Sequence, residues 1–74
     1  ELRRLYGLTA TEARIAGELA AGLSLKEIAT RLDVSYETIR NHLKKIFIKT
    51  RTNRQSELVR QLLRNLPAIG SAAE

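Results

Sequence analysis

The sequence predicts an all-α domain of four helices, and three of its properties support that prediction. The 74 residues are 43% hydrophobic but only 4% aromatic, so Leu, Ile, Val and Ala must supply the core, which favours packed helices over a sheet. Helix-start signals occur at four places, and apolar residues recur at helical spacing after them. The length suits one domain, and the lack of cysteine in the sequence excludes disulfides and thiolate metal sites.

Two capping boxes mark the starts of the first and second predicted helices. In such a box a hydroxyl accepts a hydrogen bond from the backbone N–H three residues later, and a Glu at that later position bonds back to the first residue. The first helix is expected over residues 10–21 and the second over residues 25–32, with Gly22 suited to a left-handed conformation at the end of the first. The two boxes are Thr9-Ala10-Thr11-Glu12 and Ser24-Leu25-Lys26-Glu27.

Two further start signals precede the third and fourth predicted helices. Ser35 is a good N-cap for a third helix over residues 36–50. Thr52 and Gln55 match a capping box, which predicts a fourth helix over residues 53–65.

The domain limits follow from the residues outside these helices. Pro67 ends the helical part, because the residue before a proline avoids the α conformation. The domain is therefore expected over residues 8–66. Residues 1–7 are expected to be a linker or a helical remnant of an upstream region, and residues 67–74 a flexible C-terminal tail.

The junction between the second and third helices has the chemistry of a helix-turn-helix. Ala29 is a small residue where the two helices would cross. Asp33 occupies the turn, where φ is often positive, and Asp is one of the few side chains that tolerate that conformation. A central helix-turn-helix is therefore predicted.

The positive charge of the chain is concentrated around the third helix. The formal net charge is +5 and the pI about 10.3, and no Asp or Glu occurs between Thr38 and Ser56. An acidic partner is therefore expected; DNA fits this requirement, and so would RNA or an anionic membrane surface. The cations in this stretch are Arg40, Lys44, Lys45, Lys49, Arg51 and Arg54.

On a helical wheel, the third helix separates apolar from polar residues. The side expected to face the core carries Ile39, Leu43, Ile46 and Phe47. The opposite side suits base recognition, because an Arg can bind guanine O6 and N7 as a fork, an Asn can pair with adenine, and Lys can bind phosphate or guanine. The residues on this outward side are Glu37, Arg40, Asn41, Lys44, Lys45 and Ile48.

Three residues of this helix have two interpretations each. Glu37 could accept a hydrogen bond from cytosine, but pairing with a neighbour in the same helix is the favoured interpretation. His42 lies at the border of the two faces, which favours a structural histidine over a phosphate contact. Ile48 fits a thymine methyl, a neighbouring protein surface or an ordinary exposed side chain.

The fourth helix has a wider apolar surface than one core-facing side requires. Since small regulators commonly form symmetric pairs, a homodimer interface is expected here, with a fully packed terminal helix as the alternative. The residues expected at the interface are Val59, Leu62, Leu63 and Leu66.

The composition argues against an enzyme. One His, no Cys and scattered carboxylates leave no set that could act as nucleophile, base and oxyanion site, so no catalytic residue, metal or cofactor is predicted. The sequence has no apolar run near the ~18 residues that a membrane span needs, so a soluble, cytoplasmic protein without a membrane partner is expected.

Several motifs at fixed spacing together resemble the C-terminal DNA-binding domain of LuxR-type (GerE/FixJ/NarL family) bacterial transcriptional regulators. The resemblance covers residues 8–63. It rests on Leu8-Thr9 with Glu12, Ala21-Gly22-Leu23-Ser24 with Glu27-Ile28-Ala29, Val34-Ser35 with Thr38-Ile39 and Asn41-His42-Leu43, Lys45-Ile46 with Lys49, and Arg54 with Glu57-Leu58-Val59. The chain departs from the family pattern at Asp33 and Arg51, where Gly is usual, and at Thr50, where Leu is usual.

The resemblance implies specific roles for residues of this chain. The third helix would enter the major groove of double-stranded DNA, and the fourth would form a dimer on a pseudo-palindromic site. The residues implied in base contacts are Arg40, Asn41 and Lys44. Those implied in phosphate contacts are Lys26, Ser35, Tyr36, Thr38, Lys45, Lys49 and Arg54.

Two other functions fit the same helices. A helical protein-interaction module could contact RNA polymerase or another regulator without reading DNA, and RNA polymerase is a conceivable additional partner of a DNA-binding domain as well. A promoter-binding segment like those of σ factors would read DNA without a dimer interface. Salt-sensitive binding to duplexes separates the first function from DNA reading, and the oligomeric state bears on the second.

Overall fold

The computed structural model describes the backbone of residues 2–64 and the side chains of residues 3–64. This part of the chain contains five α-helices and no strands, which confirms the all-α fold class. The helices are α1 Leu2–Tyr6, α2 Ala10–Ala20, α3 Leu25–Leu32, α4 Tyr36–Thr50 and α5 Gln55–Arg64. Helices α2 to α5 correspond to the four predicted helices. Leu66, one of the four residues expected at the dimer interface, and the predicted tail lie outside the described residues.

The capping boxes form as predicted and fix the starts of α2 and α3. The Thr9 hydroxyl accepts a hydrogen bond from the Glu12 N–H at 3.1 Å, and the Glu12 carboxylate accepts one from the Thr9 N–H at 3.0 Å. Ser24 and Glu27 make the same pair of bonds at 3.1 and 2.8 Å. The predicted bounds of α3 and α4 match the structure, and α2 ends one residue before its predicted end.

The prediction of four helices did not include α1, which occupies most of the segment expected to be a linker or a helical remnant of an upstream region. This helix ends at Gly7, whose φ of 71° lies in the left-handed region. The Leu8 N–H then donates to the Arg3 carbonyl at 3.1 Å, the closing bond of a Schellman motif. Because Leu8 is buried and Tyr6 packs against the core, packing stabilises a helix too short to form alone.

The predicted start of α5 was wrong by two residues. The Thr52 hydroxyl does not cap the helix, because it is buried and pairs with the Thr50 hydroxyl at 2.9 Å. The Glu57 carboxylate instead accepts a hydrogen bond from the Asn53 N–H at 3.2 Å, and α5 begins at Gln55.

Left-handed residues bracket α4 at both ends. Asp33, with φ 57°, ends α3, and Arg51, with φ 59°, ends α4. In each case the next residue closes a Schellman motif, since the Val34 N–H donates to the Ala29 carbonyl and the Thr52 N–H to that of Phe47, both at 3.0 Å. The left-handed conformation expected at Asp33 is therefore confirmed.

Helix α2 is the centre of the packing. It contacts α1, α3, α4 and α5, and α3 also packs against α4, whereas α4 and α5 approach each other less closely. The apolar core consists of Leu8, Ile15, Ala16, Leu19, Ile28, Ala29, Ile39, Leu43, Ile46, Leu58 and Leu62. The buried polar residues of the described part are Glu12, Thr50 and Thr52.

Candidate nucleic-acid interface

Helix α4 turns one polar face to solvent. Its opposite face is anchored by Ile39, Leu43 and Ile46, which are buried against the other helices. Arg40, Asn41 and Lys44 are all exposed on the outward face, together with Glu37, Lys45 and Ile48. The division expected from the helical wheel is thus confirmed, and the three residues expected to contact bases lie side by side, since residues three and four apart are neighbours on a helix.

The α3–α4 junction gives this face its position. Ile28 and Ala29 of α3 are buried at the junction, as a close helix crossing requires. The left-handed Asp33 then turns the chain within three residues, so that α4 follows α3 directly. This arrangement is a helix-turn-helix.

Hydroxyl groups cluster at the N-terminus of α4. The Ser35 Oγ accepts a hydrogen bond from the Thr38 N–H at 3.1 Å and lies 2.9 Å from the Thr38 Oγ1. Tyr36, which follows the cap, is 44% exposed. The helix dipole and the first N–H groups favour an anion at such an end. Ser35, Tyr36 and Thr38, three of the predicted phosphate contacts, therefore lie at a position suited to a phosphate group.

Most cations of the candidate interface form no ion pair with another described residue. The described part of the chain contains three ion pairs, Arg14–Glu18 at 3.7 Å, Arg31–Glu18 at 3.1 Å and Lys49–Glu12 at 2.7 Å. The exposed cations that take no part in them include Lys26, Arg40, Lys44, Lys45 and Arg54, all of them predicted DNA contacts.

Lys49 differs from the other predicted phosphate contacts. Its ammonium group lies 2.7 Å from the carboxylate of Glu12 on α2, whose side chain is only 3% exposed. The hydrogen bond from Lys49 lowers the pKa of Glu12 below its ordinary value of 4.5, and burial opposes this effect. The hydrogen bond from the Thr9 N–H, the charge of Lys49 and a smaller electrostatic contribution from His42 lower the pKa further. The structure therefore places Lys49 against α2 and apart from the free cations.

Glu12 was recognised in the sequence only as a capping residue. It lies three and four positions before Ile15 and Ala16, on the side of α2 that is buried. A carboxylate on an apolar stripe needs a buried partner, and this signal could have indicated an ion pair. The identity of the partner, 37 residues away, could not be read from spacing.

The three residues with open interpretations have distinct environments. His42 is half-buried, as expected at the border, but its enclosed Nδ1 has no hydrogen-bond partner among the described residues. Glu37 is exposed and makes no ion pair within the described part, so the favoured pairing inside α4 is absent. Ile48 is 77% exposed, the most exposed large apolar side chain described.

The outer surface of α5 is smaller than the predicted dimer interface. Leu62 is fully buried in the core of its own chain and is not available to a second copy. Leu63 is 41% exposed, and Val59, one helical turn before it, is partly buried. These two side chains form the apolar surface that α5 presents to solvent in the described part.

Comparisons with known proteins identify the family of this domain. Residues 7–62 match the family described as "Bacterial regulatory proteins, luxR family". The monoamine regulon transcriptional regulator of Klebsiella aerogenes is 46% identical over 52 residues, which cover 70% of this chain and 23% of that protein. The HTH-type transcriptional regulator MalT of Yersinia pestis (strain Pestoides F) is 34% identical over 70 residues, 95% of this chain and 8% of that protein.

These matches confirm the expected class of protein. The chain spans about a quarter or less of the length of these relatives, so they support the domain and not a whole-protein activity. No solved structure matches, and no helix among residues 2–64 is long and apolar enough to cross a membrane. With the helix-turn-helix and its basic face, the matches support a DNA-binding regulatory domain. The chain belongs to the LuxR family of bacterial regulatory proteins.

Proposed function

We propose that this domain binds double-stranded DNA sequence-specifically, with α4 in the major groove. The observation that carries the proposal is the outward face of α4, where Arg40, Asn41 and Lys44 are exposed and the two cations form no ion pair within the part of the chain that the structure describes. An α-helix fits the width of the major groove, and these side chains have the donors and acceptors that distinguish base pairs there.

Base contacts are assigned to residues 40–44 of α4. Arg40 and Lys44 lie one turn apart, and Asn41 lies between them on the same surface. The Arg40 guanidinium suits guanine, the Asn41 amide suits adenine, and the Lys44 ammonium suits the acceptors of guanine. A helix-turn-helix reads bases with the N-terminal part of its second helix, which agrees with this assignment.

Phosphate contacts are assigned to groups around the edge of this surface. Lys45 flanks the base-reading residues, Lys26 projects from α3, and Arg54 precedes α5. Ser35, Tyr36 and Thr38 supply polar groups at the N-terminus of α4. Lys49 is left out of the assigned set, because the buried Glu12 carboxylate holds its ammonium group.

A homodimer through α5 would align two such domains on one duplex. Val59 and Leu63 give each copy a small apolar surface next to the buried side of the helix. A symmetric pair of recognition helices fits an imperfect palindrome whose half-sites lie about one helical turn, roughly 34 Å, apart. The area is small, so we expect the dimer to form mainly on DNA, and a cytoplasmic location follows from such a role.

In vitro selection of duplexes bound by the 74-residue chain tests this function. We expect a palindromic consensus, and Arg40→Ala should weaken binding to it by about 2 kcal/mol, roughly thirtyfold, while binding to random duplexes changes little. Arg14→Ala removes the same charge from α2, outside the helix-turn-helix, and is the matched control. No enrichment of any sequence, or equal losses in the two variants, would contradict the proposal.

The exposed Ile48 favours one alternative function, contact with a protein such as RNA polymerase. An aliphatic side chain at the C-terminal end of α4, beside Lys44 and Lys45, suits an acidic protein surface with an apolar centre. This alternative predicts little salt-sensitive binding to duplexes. Titration of random and selected duplexes at two salt concentrations therefore distinguishes it from DNA reading.

A further inference from the structure

The side chain of Gln61 connects three helices. From α5, its Nε2 donates to the carbonyl of Thr50 at the end of α4, at 3.1 Å, and to the hydroxyl of Tyr6 at the end of α1, at 3.4 Å. The Thr50 carbonyl belongs to the last turn of α4, where carbonyls lack a partner within the helix. Gln61 therefore completes the C-terminal end of α4 from outside.

This connection matters because the backbones of α4 and α5 approach each other less closely than either approaches α2. Residues 51–54 join them, starting with the left-handed Arg51. Inside the junction, the Thr50 hydroxyl donates to the Ile46 carbonyl at 2.8 Å and pairs with that of Thr52 at 2.9 Å. The orientation of α4 relative to α5 therefore depends on this hydrogen-bonded junction as well as on the core.

We propose that Gln61 is a positioning residue that sets which spacing between DNA half-sites the protein accepts. The inference rests on the proposed function, in which α5 pairs two copies and α4 reads DNA. In a symmetric dimer the distance between the two recognition helices depends on the orientation of α4 relative to α5 in each copy. A substitution that alters this orientation acts in both copies. Without the bond from Gln61 to Thr50, duplexes with different spacings should bind more nearly alike.

Duplexes that differ only in half-site spacing test the inference. Fluorescence anisotropy would compare the selected spacing with spacings one and two base pairs shorter or longer, using the 74-residue chain. Gln61→Met keeps the approximate length of the side chain and removes its donor. Since one hydrogen bond contributes about 1 kcal/mol net, we expect the preference for the selected spacing to fall by about fivefold.

Two further variants make the comparison specific. Gln55→Met makes the same chemical change on α5, at an exposed residue whose side chain forms no hydrogen bond within residues 3–64, and should keep the wild-type preference. Tyr6→Phe removes the hydroxyl that accepts the second, longer bond of Gln61 and should reduce the preference by a smaller factor. Thermal unfolding checks that the variants are folded. If Gln61→Met does not fold, Tyr6→Phe tests the inference in its place.

The outcomes separate this inference from the proposed function. If Gln61→Met weakens binding to every spacing by the same factor, or leaves the preference unchanged, the positioning role is overturned and the DNA-binding function stands. If the wild-type chain itself shows no preference for spacing, both the dimeric reading of DNA and the positioning role are overturned. A loss of preference confined to Gln61→Met and Tyr6→Phe supports the role.

Discussion

Residues 40–44 of α4 and the last turn of this helix contain similar polar residues but use them differently. In the first segment, Arg40, Asn41 and Lys44 are exposed, and the cations form no ion pair with another described residue. In the last turn, Lys49 is bound by Glu12, and Thr50 has its hydroxyl and carbonyl satisfied within the fold. We therefore propose that the free cations contact DNA, whereas Lys49 holds α4 to Glu12 of α2.

The largest expected effect separates the two ends by stability. Lys49→Met leaves the buried Glu12 carboxylate unpaired, and we expect the free energy of unfolding to fall by about 2 kcal/mol, less than for a fully buried pair because the Lys49 side chain is 33% exposed. Lys45→Met, the control, should change it by less than about 0.5 kcal/mol, because Lys45 is exposed. Urea unfolding measures both values, and equal effects would contradict the expected difference between Lys49 and Lys45.

The pH dependence of stability tests the ion pair of Glu12 with Lys49. The pKa of Glu12 is lowered in the folded state, so its contribution is fully present above the ordinary value of 4.5 and is lost as the pH falls through the lowered pKa. Urea unfolding between about pH 3 and pH 7 should therefore show a steeper loss below 4.5 in the wild type than in Glu12→Gln. Parallel curves for the two proteins would show that this pair does not control acid stability.

The turns at either end of α4 provide a smaller test. Arg51 has a left-handed φ of 59°, and Arg51→Gly should stabilise the domain by about 1 kcal/mol, because the side chain is strained there and Gly is not. Asp33→Gly should gain only a few tenths of a kcal/mol, about 0.3, since Asp tolerates this conformation better. Thermal unfolding of both variants checks the order, and a larger gain at Asp33 would contradict it.

The features predicted from the sequence are those that depend on near neighbours. The capping boxes of α2 and α3 formed because hydroxyl and carboxylate lie three residues apart, and the faces of α4 followed from its helical period. Exposure of Arg40, Asn41 and Lys44 could be predicted for the same reason.

The missed features depend on contacts between distant residues. Helix α1 is held by packing of Tyr6 on the core, and α5 starts late because Thr52 is drawn into the junction with Thr50. The ion pair of Lys49 with Glu12 and the bonds of Gln61 likewise join separate helices. No local periodicity encodes such contacts, so the sequence could not show that Glu12 binds Lys49 or that Leu62 is buried within its own chain.

The salt dependence of DNA binding tests the central distinction most directly. Each phosphate contact contributes about 0.9 to the slope of log affinity against log salt concentration. With the selected duplex, Lys45→Met should reduce the slope by about one, and Lys49→Met, measured under conditions where it is folded, should leave the slope unchanged. Equal reductions in the two variants would show that Lys49 contacts phosphate despite Glu12. That result would contradict the division of α4 into residues 40–44, which contact DNA, and a last turn that is bound to Glu12.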